Sequence, residues 1–261
     1  MVALEGQVAV VTGGSRGIGR AIASRLAADG ADLFIAARTA EDLDATAAEI
    51  GATTGRRVET LAVDLRSLES CEGLGQTLEE TYGRLDILVN CAGATQAGPF
   101  LELSDEVWHD GFDLKFWAAV RLARILWPHL AASRGTVINI VGGLARTPTP
   151  DIMVGGAVNA ALANFSKALA GLGLRDDVNV NTVHPGPTVT DRMVKIFEKR
   201  AEAAGTTPEE FERQAIERQG VRRLGLPEDV AAVVAFLCSP AARHIQGVAI
   251  GVDGGGTTGL F

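Results

Sequence analysis

The feature that most constrains the fold of this chain is a short apolar segment that runs directly into a glycine-rich turn. Residues 7–12 read as a buried strand, and residues 18–29 follow with apolar side chains at helical spacing. Gly13, Gly17 and Gly19 lie in and just after the turn between them. Glycines at such a turn let the backbone approach a ligand closely, and a helix N-terminus attracts anions. The segment therefore predicts a strand and a helix that bind a phosphate-bearing ligand.

The same alternation of strand and helix continues along the chain. Further strands are predicted at residues 32–37, 58–63, 85–90, 135–141, 178–183 and 248–252, and helices at 41–50, 67–82, 105–130, 152–171 and 227–238. Alternating strands and helices form right-handed βαβ units and a doubly wound parallel sheet. The prediction is a single α/β domain, residues 1–261, with a Rossmann fold of about seven strands. Its ligand is expected beyond the carboxyl ends of the strands.

Composition and charge narrow the class of protein. The 261 residues are 47% hydrophobic, so the chain can bury a large core, and the net charge of −8 argues against a nucleic-acid partner. No signal-peptide pattern or uninterrupted membrane-length apolar run is evident. Cys71, Cys91 and Cys238 are scattered, which suits reduced thiols and not a metal site or a disulfide framework. A cytoplasmic protein without metal or membrane partner is expected.

Several motifs together resemble the short-chain dehydrogenase/reductase family over almost the whole chain. They are residues 12–19 (Thr-Gly-Gly-Ser-Arg-Gly-Ile-Gly), 90–93 (Asn-Cys-Ala-Gly, in which Cys91 replaces a second Asn), 185–188 (Pro-Gly-Pro-Thr) and 252–255 (Val-Asp-Gly-Gly). The resemblance implies an oxidoreductase that binds a nicotinamide dinucleotide. The cofactor-binding residues that it implies are Gly13, Ser15, Arg16, Gly17, Ile18, Gly19, Arg38, Asp64, Leu65, Asn90, Ala92, Gly93, Pro185, Gly186 and Thr188.

The residues after the second strand favour NADP(H) over NAD(H). An NAD site usually has an acidic residue there to accept the ribose hydroxyls, whereas this chain has Ala36, Ala37 and Arg38. Arg16 lies in the glycine turn nearby, and two guanidinium groups suit a 2′-phosphate between them. The alternative is that both arginines belong to the solvated surface.

The residues that carry the family's chemistry are missing. The family uses a Ser to polarise the carbonyl, a Tyr as general acid or base, a Lys that lowers the Tyr pKa and an Asn on the preceding long helix. The segment 164–170 resembles the end of the catalytic helix, whose Phe follows the Tyr by ten positions, so Gly155 takes the Tyr position and Asn159 the Lys position. By the same register Gly142 takes the Ser position and Lys115 the Asn position.

Lys115 and Asn159 nevertheless form a pattern, because lysine and asparagine have exchanged places between the two helices. We take both as candidate catalytic residues, with Lys115 reaching the space left by the missing lysine. The alternative is that Lys115 points to solvent or pairs with Asp113 or Asp110. The two glycines are expected to enlarge the pocket, around which Arg146, Asp151 and His184 are further candidates. Asp151 is predicted to cap the following helix, and His184 to be structural.

Residues 190–220 are charged and helical, and the resemblance implies that they form a substrate lid. Thr207-Pro208-Glu209-Glu210 reads as a capping box with Pro at the first helical position. The resemblance also implies a homotetramer or homodimer formed through the long helix and the catalytic helix.

Three functions remain open from the sequence. The first is an NADP(H)-dependent oxidoreductase with non-standard catalytic residues, acting on an unknown carbonyl or alcohol. The second is a catalytically silent NADP(H)-binding sensor or partner subunit. The third is a different reaction, such as an elimination or isomerisation, in the same pocket. The fold alone does not choose among them.

Overall fold

The computed structural model describes residues 3–259, and one parallel sheet organises them. The sheet order is β3-β2-β1-β4-β5-β6-β7, with neighbouring strands in parallel register throughout. The strands are β1 (Val8–Thr12), β2 (Asp32–Ala37), β3 (Val58–Ala62), β4 (Ile87–Asn90), β5 (Thr136–Ile140), β6 (Asn179–Pro185) and β7 (Ala249–Val252). The chain order reverses between β1 and β4, which confirms the predicted doubly wound Rossmann fold and places a cleft at that point.

Helices connect the strands on both faces of the sheet. They are α1 (Gly17–Ala28), α2 (Ala40–Thr54), α3 (Leu68–Thr81), α4 (Asp105–Phe112), α5 (Ala118–Ser133), α6 (Met153–Asp176), α7 (Asp191–Ala204), α8 (Pro208–Gln219) and α9 (Pro227–Cys238). The helix predicted at 105–130 is α4 and α5, joined without a break in direction by a π-helical turn, Asp113–Trp117. The helix predicted at 152–171 continues to Asp176 and ends at Asp177, which adopts a left-handed conformation.

Two apolar layers hold the sheet between the helices. One layer joins the strands to α1 and α9 and includes Ile22, Leu26, Ile35, Val89, Ile138 and Val234. The other joins them to α3, α5 and α6 and includes Val10, Phe34, Leu88, Leu122, Leu126 and Val137. Burial of each such side chain contributes about 1.5–3 kcal/mol. These layers fix the carboxyl ends of the strands, where the cleft opens.

A buried polar chain ties α6 to the middle of the sheet. The Asn90 amide donates to Oδ1 of Asn139 (2.8 Å), and the Asn139 amide donates to Oγ of Ser166 (2.7 Å). Ser166 in turn donates to the carbonyl of Leu162, one turn earlier in α6 (2.6 Å). Buried polar groups destabilise a fold unless they are hydrogen-bonded, so this chain fixes α6 relative to β4 and β5.

The helical stretch Pro150–Asp176 is long and apolar enough, by length and composition alone, to cross a membrane. The core helix of a globular domain can pass the same test. Here α6 packs on the sheet through Val158, Leu162 and Ala170, which are buried. One side of the helix thus belongs to the core.

The segment 190–220 forms α7 and α8. Thr207 caps α8 by accepting from the Glu210 amide (3.2 Å), with Pro208 in the first turn, as predicted. The Glu210 carboxylate instead binds Arg213, so the reciprocal half of the predicted capping box is replaced by an ion pair. The rings of Phe197 and Phe211 pack the two helices together, with centroids 5.4 Å apart.

Candidate functional site

A cleft of about 420 Å³ opens at the carboxyl ends of the central strands. Most of the predicted cofactor-binding residues line it, and so does Lys115 at one end. The lining comprises Gly13, Ser15–Gly19, Ala36–Thr39, Val63, Leu65, Cys91–Ala94, Leu114, Lys115, Ile140–Gly142, Pro185, Gly186, Thr190 and Asp191. This position is the switch point at which doubly wound proteins bind nucleotides.

The glycine turn permits an approach that other residues would block. A Cβ on Gly19 would lie 2.1 Å from the carbonyl oxygen of Gly13, so α1 begins against the turn itself. Gly13 and Gly17 adopt positive φ angles of 69° and 54°. Arg16 at the N-cap makes no side-chain cap, so the first amides of α1 face the cleft without a capping oxygen. An anion such as a pyrophosphate suits these donors.

Arg16 and Arg38 both line the cleft, as the sequence predicts. Within residues 3–259 neither forms an ion pair. Leu65 also lines the cleft, whereas Asp64 is turned to Arg66, whose guanidinium lies 3.0 Å from its carboxylate. The two arginines and the apolar wall at Ala36 and Ala37 leave this end of the cleft positively charged.

The loop after β4 is shaped by Thr12. The Thr12 hydroxyl accepts from the amides of Cys91 and Ala92, each at 3.0 Å. The Asn90 side chain is directed into the sheet toward Asn139 and does not line the cleft. Asn90 therefore supports the loop from below, and the backbone of residues 91–94 forms the wall.

The loop after β6 is braced by the carboxy-terminal motif. The Asp253 carboxylate accepts from the amides of Gly255 and Thr257, each at 3.0 Å, and a Cβ on Gly186 would lie 2.8 Å from Cβ of Asp253. Pro185 and Gly186 line the cleft. Thr188 is buried and donates to the Gly186 carbonyl (2.9 Å), so its hydroxyl holds the loop in shape.

Lys115 lines the cleft and is half-buried. Its methylene chain passes Gly93 so closely that a Cβ there would be 3.0 Å from Cδ of the lysine. Asp110, one of the partners considered for it, instead binds Arg66. Burial raises the pKa of the Cys91 thiol to about 12, and the positive charge of Lys115 acts in the opposite direction. The lysine therefore places a positive charge at the end of the cleft formed by Gly93 and Gly142.

Asn159 lies behind Gly142 in α6. Its amide donates to the Gly155 carbonyl (2.7 Å), and a Cβ on Gly142 would lie 3.0 Å from Nδ2 of Asn159. Its Oδ1 is buried and has no hydrogen-bond partner among the described residues. Asn159 therefore stands one layer behind the cleft wall, whereas Gly142 and Lys115 line it.

The expectation that Gly155 enlarges the pocket is wrong. A Cβ at this position would lie 2.9 Å from Cγ2 of Ile152 and 3.0 Å from Oγ1 of Thr95, with Cδ1 of Leu144 at 3.5 Å. These side chains fill the space beside the glycine. Gly155, which the sequence aligns with the family's tyrosine, thus lies in a packed contact, and Thr95 is a residue that the sequence did not single out.

The other candidates lie outside the cleft lining. His184 is buried, and burial first, then the charges of Arg146 and Lys115, lowers its pKa to about 4. Its Nε2 lies 2.9 Å from Oγ1 of Thr182, while its buried Nδ1 has no partner within the described residues. Asp151 is exposed in a 3₁₀ turn and is not the N-cap of α6, which is Ile152, so that prediction was wrong. Arg146 donates to the carbonyl of Ala249 (2.9 Å).

Thr190, Asp191 and Thr95 were not among the predicted cofactor-binding or catalytic residues, although Thr190 and Asp191 begin the predicted lid. Thr190 and Asp191, at the start of α7, line the cleft, which joins the segment 190–220 to the site. No group of three or more His, Cys, Asp or Glu side chains in the described part of the chain is placed to hold a metal ion. Thr95 follows the Asn-Cys-Ala-Gly motif by only two positions, and that adjacency was the available signal.

Comparison with known proteins gives a consistent family. Residues 13–257 match the family model described as enoyl-(acyl carrier protein) reductase. An uncharacterised oxidoreductase of Mycobacterium tuberculosis is 37% identical over 260 residues, covering 98% of this chain and 94% of the relative. The structure of L-sorbose reductase from Gluconobacter frateurii, complexed with NADPH and L-sorbose, superposes with a TM-score of 0.96 at 33% identity, covering 99% of each chain.

A second similar structure carries the other nucleotide. The 7α-hydroxysteroid dehydrogenase complexed with NADH and a 7-oxo bile acid has a TM-score of 0.89 at 26% identity, covering 100% of this chain and 98% of that one. The cleft, the glycine turn and the match over nearly the whole length agree with these comparisons. The chain belongs to the short-chain dehydrogenase/reductase family of oxidoreductases.

Proposed function

We propose that this protein is an NADP(H)-dependent oxidoreductase that acts on a carbonyl or alcohol with catalytic side chains other than the family's Ser, Tyr and Lys. The observation that carries the proposal is Lys115, which lines the same cleft as Arg16 and Arg38, at the end marked by Gly93 and Gly142. A cleft suited to the nucleotide thus ends at a side chain able to carry a proton.

Arg16 and Arg38 support the preference for NADP(H). A 2′-phosphate between them would receive charge-assisted hydrogen bonds from both guanidinium groups. An NAD ribose would leave the positive charges unmatched, since Ala36 and Ala37 offer no acceptor side chain. The NADPH in the L-sorbose reductase structure agrees with this choice, and the NADH in the hydroxysteroid dehydrogenase makes a direct test necessary.

In the proposed reaction, the nucleotide and the described residues have separate roles. A bound nicotinamide nucleotide would supply or accept the hydride. The Lys115 ammonium stabilises negative charge on the substrate oxygen and donates a proton to it. Asn159, held by the Gly155 carbonyl, supports the wall at Gly142. Thr190 and Asp191 connect α7 and α8 to the cleft, and we propose that these helices cover the substrate.

The nucleotide preference is tested by the affinities of Arg38→Ala for NADPH and NADH, followed by nucleotide fluorescence. Loss of a hydrogen bond to a charged phosphate should raise the Kd for NADPH about 10–100-fold and leave the Kd for NADH nearly unchanged. Arg25→Ala is the control, because Arg25 lies on α1 outside the cleft and pairs with Asp29. An equal change for both nucleotides would contradict a 2′-phosphate site.

Turnover separates the proposal from its alternative, a silent NADP(H)-binding sensor or partner subunit. The packed Gly155 favours that alternative, since the usual acid has no space there. The assay is NADPH oxidation with aldehydes, aliphatic ketones, sugar ketones and the α-diketone diacetyl. Oxidation that is lost in Lys115→Met supports the oxidoreductase. Tight NADPH binding without oxidation by any of these carbonyls supports the silent protein.

We also propose that the protein forms a homodimer or homotetramer through α5 and the turn before it. Trp117 is 44% exposed beside Phe116, whose ring packs edge-on against Phe165 of α6 with centroids 6.1 Å apart. An aromatic surface of this kind is typical of interfaces. Light scattering with wild type and Trp117→Glu would show whether this face joins the subunits.

A further inference from the structure

Thr95 is the first residue beyond the cleft lining, which ends at Ala94, and it lies against the first turn of α6. It follows residues 91–94, all of which line the cleft. Its Oγ1 lies 3.0 Å from the point that a Cβ on Gly155 would occupy, and its Cγ2 lies 3.4 Å from the corresponding point on Gly111 in α4. The side chain is therefore inserted between α4 and α6, with its hydroxyl at the position where the family's tyrosine would leave the helix.

Three features hold Thr95 in this position. Gly111 and Gly155 have no side chains, so the two helices can close around it, and Val154 approaches Gly111 to within 2.9 Å of a Cβ position. The amide of Gly98 donates to the Asp151 carbonyl (3.2 Å), which joins the Thr95 loop to the turn before α6. Threonine is also branched at Cβ, which restricts its rotamers. The hydroxyl is thus fixed in place without a hydrogen bond.

The Thr95 hydroxyl forms no hydrogen bond with any residue from 3 to 259 that the structure describes. The residue is half-buried, between α4, α6 and the cleft wall. If the Thr95 side chain only filled space, valine would pack equally well in its place. Its hydroxyl, however, can also donate one hydrogen bond to a ligand. Gly155 beside Thr95 offers no donor side chain, and neither does Gly142 in the cleft lining.

We propose that the Thr95 hydroxyl donates the hydrogen bond that polarises the substrate carbonyl, the role left without a side chain at Gly142 and Gly155. The inference rests on the proposed function. The carbonyl carbon accepts a hydride, with its electron pair, from the reduced nicotinamide, and the carbonyl π electrons move to oxygen. That oxygen takes a proton from the Lys115 ammonium, which regains one from water. Thr95 keeps its own proton and stabilises the charge as it develops on oxygen.

The test compares Thr95→Val, which keeps the shape and removes the hydroxyl, with Thr95→Ser, which keeps the hydroxyl. Thr77→Val is the control, because Thr77 lies in α3 and its hydroxyl bonds only the Gly73 carbonyl (2.9 Å). NADPH oxidation with diacetyl gives kcat and KM, and fluorescence gives the Kd for NADPH. Infrared difference spectra of ¹³C-labelled diacetyl with NADP⁺ report the hydrogen bond to the carbonyl without any turnover.

The expected result is a fall in kcat of about 100-fold in Thr95→Val and of no more than about threefold in Thr95→Ser, with the NADPH Kd unchanged. The carbonyl stretch of bound diacetyl should rise in frequency in Thr95→Val alone. A wild type that oxidises NADPH, with Thr95→Val equal to it in kcat and carbonyl frequency, overturns the role of Thr95 and leaves the proposed function standing. If none of the tested carbonyls is reduced by wild type with NADPH, both the role of Thr95 and the proposed function are wrong.

Discussion

Replacement of Gly155 by alanine tests whether the space beside this glycine is empty or filled. The new Cβ would lie 2.9 Å from Cγ2 of Ile152 and 3.0 Å from Oγ1 of Thr95. Both neighbours are branched at Cβ and have few alternative rotamers. The two side chains, or the helix, must therefore move by several tenths of an ångström to admit a single methyl group.

Two opposing effects set the magnitude. Overpacking a filled site costs about 1–3 kcal/mol, whereas alanine in place of glycine favours a helix by about 1 kcal/mol. The matched control is Gly171→Ala in the same helix, because Gly171 is exposed and no described atom lies within 4 Å of its Cβ position. Gly171→Ala should raise the free energy of unfolding by up to about 1 kcal/mol. The free energy of unfolding of Gly155→Ala should be about 1–3 kcal/mol lower than that of Gly171→Ala.

Urea unfolding of the two variants and wild type, followed by circular dichroism at pH 7.5, measures the difference. The slopes of free energy against urea must agree, so that the midpoints report stability alone. Equal stabilisation by both alanines would refute the packed site. It would also mean that a tyrosine could be restored at residue 155 without rearranging Ile152 and Thr95.

The remaining predictions concern buried polar groups. The pKa of His184 is about 4, below its unfolded value near 6.5, so the unfolded chain binds more protons as the pH falls, and stability present above pH 6.5 is lost toward pH 4. Between pH 7.5 and 5, the free energy of unfolding of wild type, measured in urea, should therefore fall by about 2 kcal/mol more than that of His184→Gln. Equal falls in the two proteins would show that His184 protonation does not control stability. Ser166→Ala removes the acceptor of the Asn139 amide (2.7 Å). It should lower the free energy of unfolding by about 1–3 kcal/mol, against little change for Ser70→Ala, whose half-buried hydroxyl accepts only from that of Ser67 (2.9 Å).

The fold and the cofactor end of the site could be predicted because their signals are local. A strand, a glycine turn and a helix lie next to each other in the sequence, and the cleft forms wherever such units meet in a parallel sheet. Arg38 follows the end of β2 directly, and Arg16 lies in the short turn between β1 and α1. Lys115 was placed by the resemblance, in which the family's asparagine falls at residue 115, and the structure puts it in the cleft lining.

The reactive end could not be predicted to the same depth, because its geometry depends on contacts between distant segments. Thr95 and Gly155 are far apart in sequence, and only the packing of α4 on α6 brings them together. Asp151 looked like a helix cap, but its carbonyl instead accepts from Gly98, and the helix begins later. The missing side chain at Gly155 predicted an enlarged pocket, because the sequence does not show that Ile152 and Thr95 fill the space beside it.

The π-helical turn Asp113–Trp117 determines which way Lys115 faces relative to the core. An α-helix turns by about 100° per residue, so a π turn, which holds an extra residue, shifts the rotational phase of α4 against α5. Were the same residues wound as a regular α-helix, with Leu122 and Leu126 still in the core, the chain before the turn would be rotated by about 100°. Gly111 would then turn away from α6 and the lysine away from the cleft. The one extra residue held in this turn thus decides whether a lysine faces the nucleotide cleft, while the helices on either side of it stay the same.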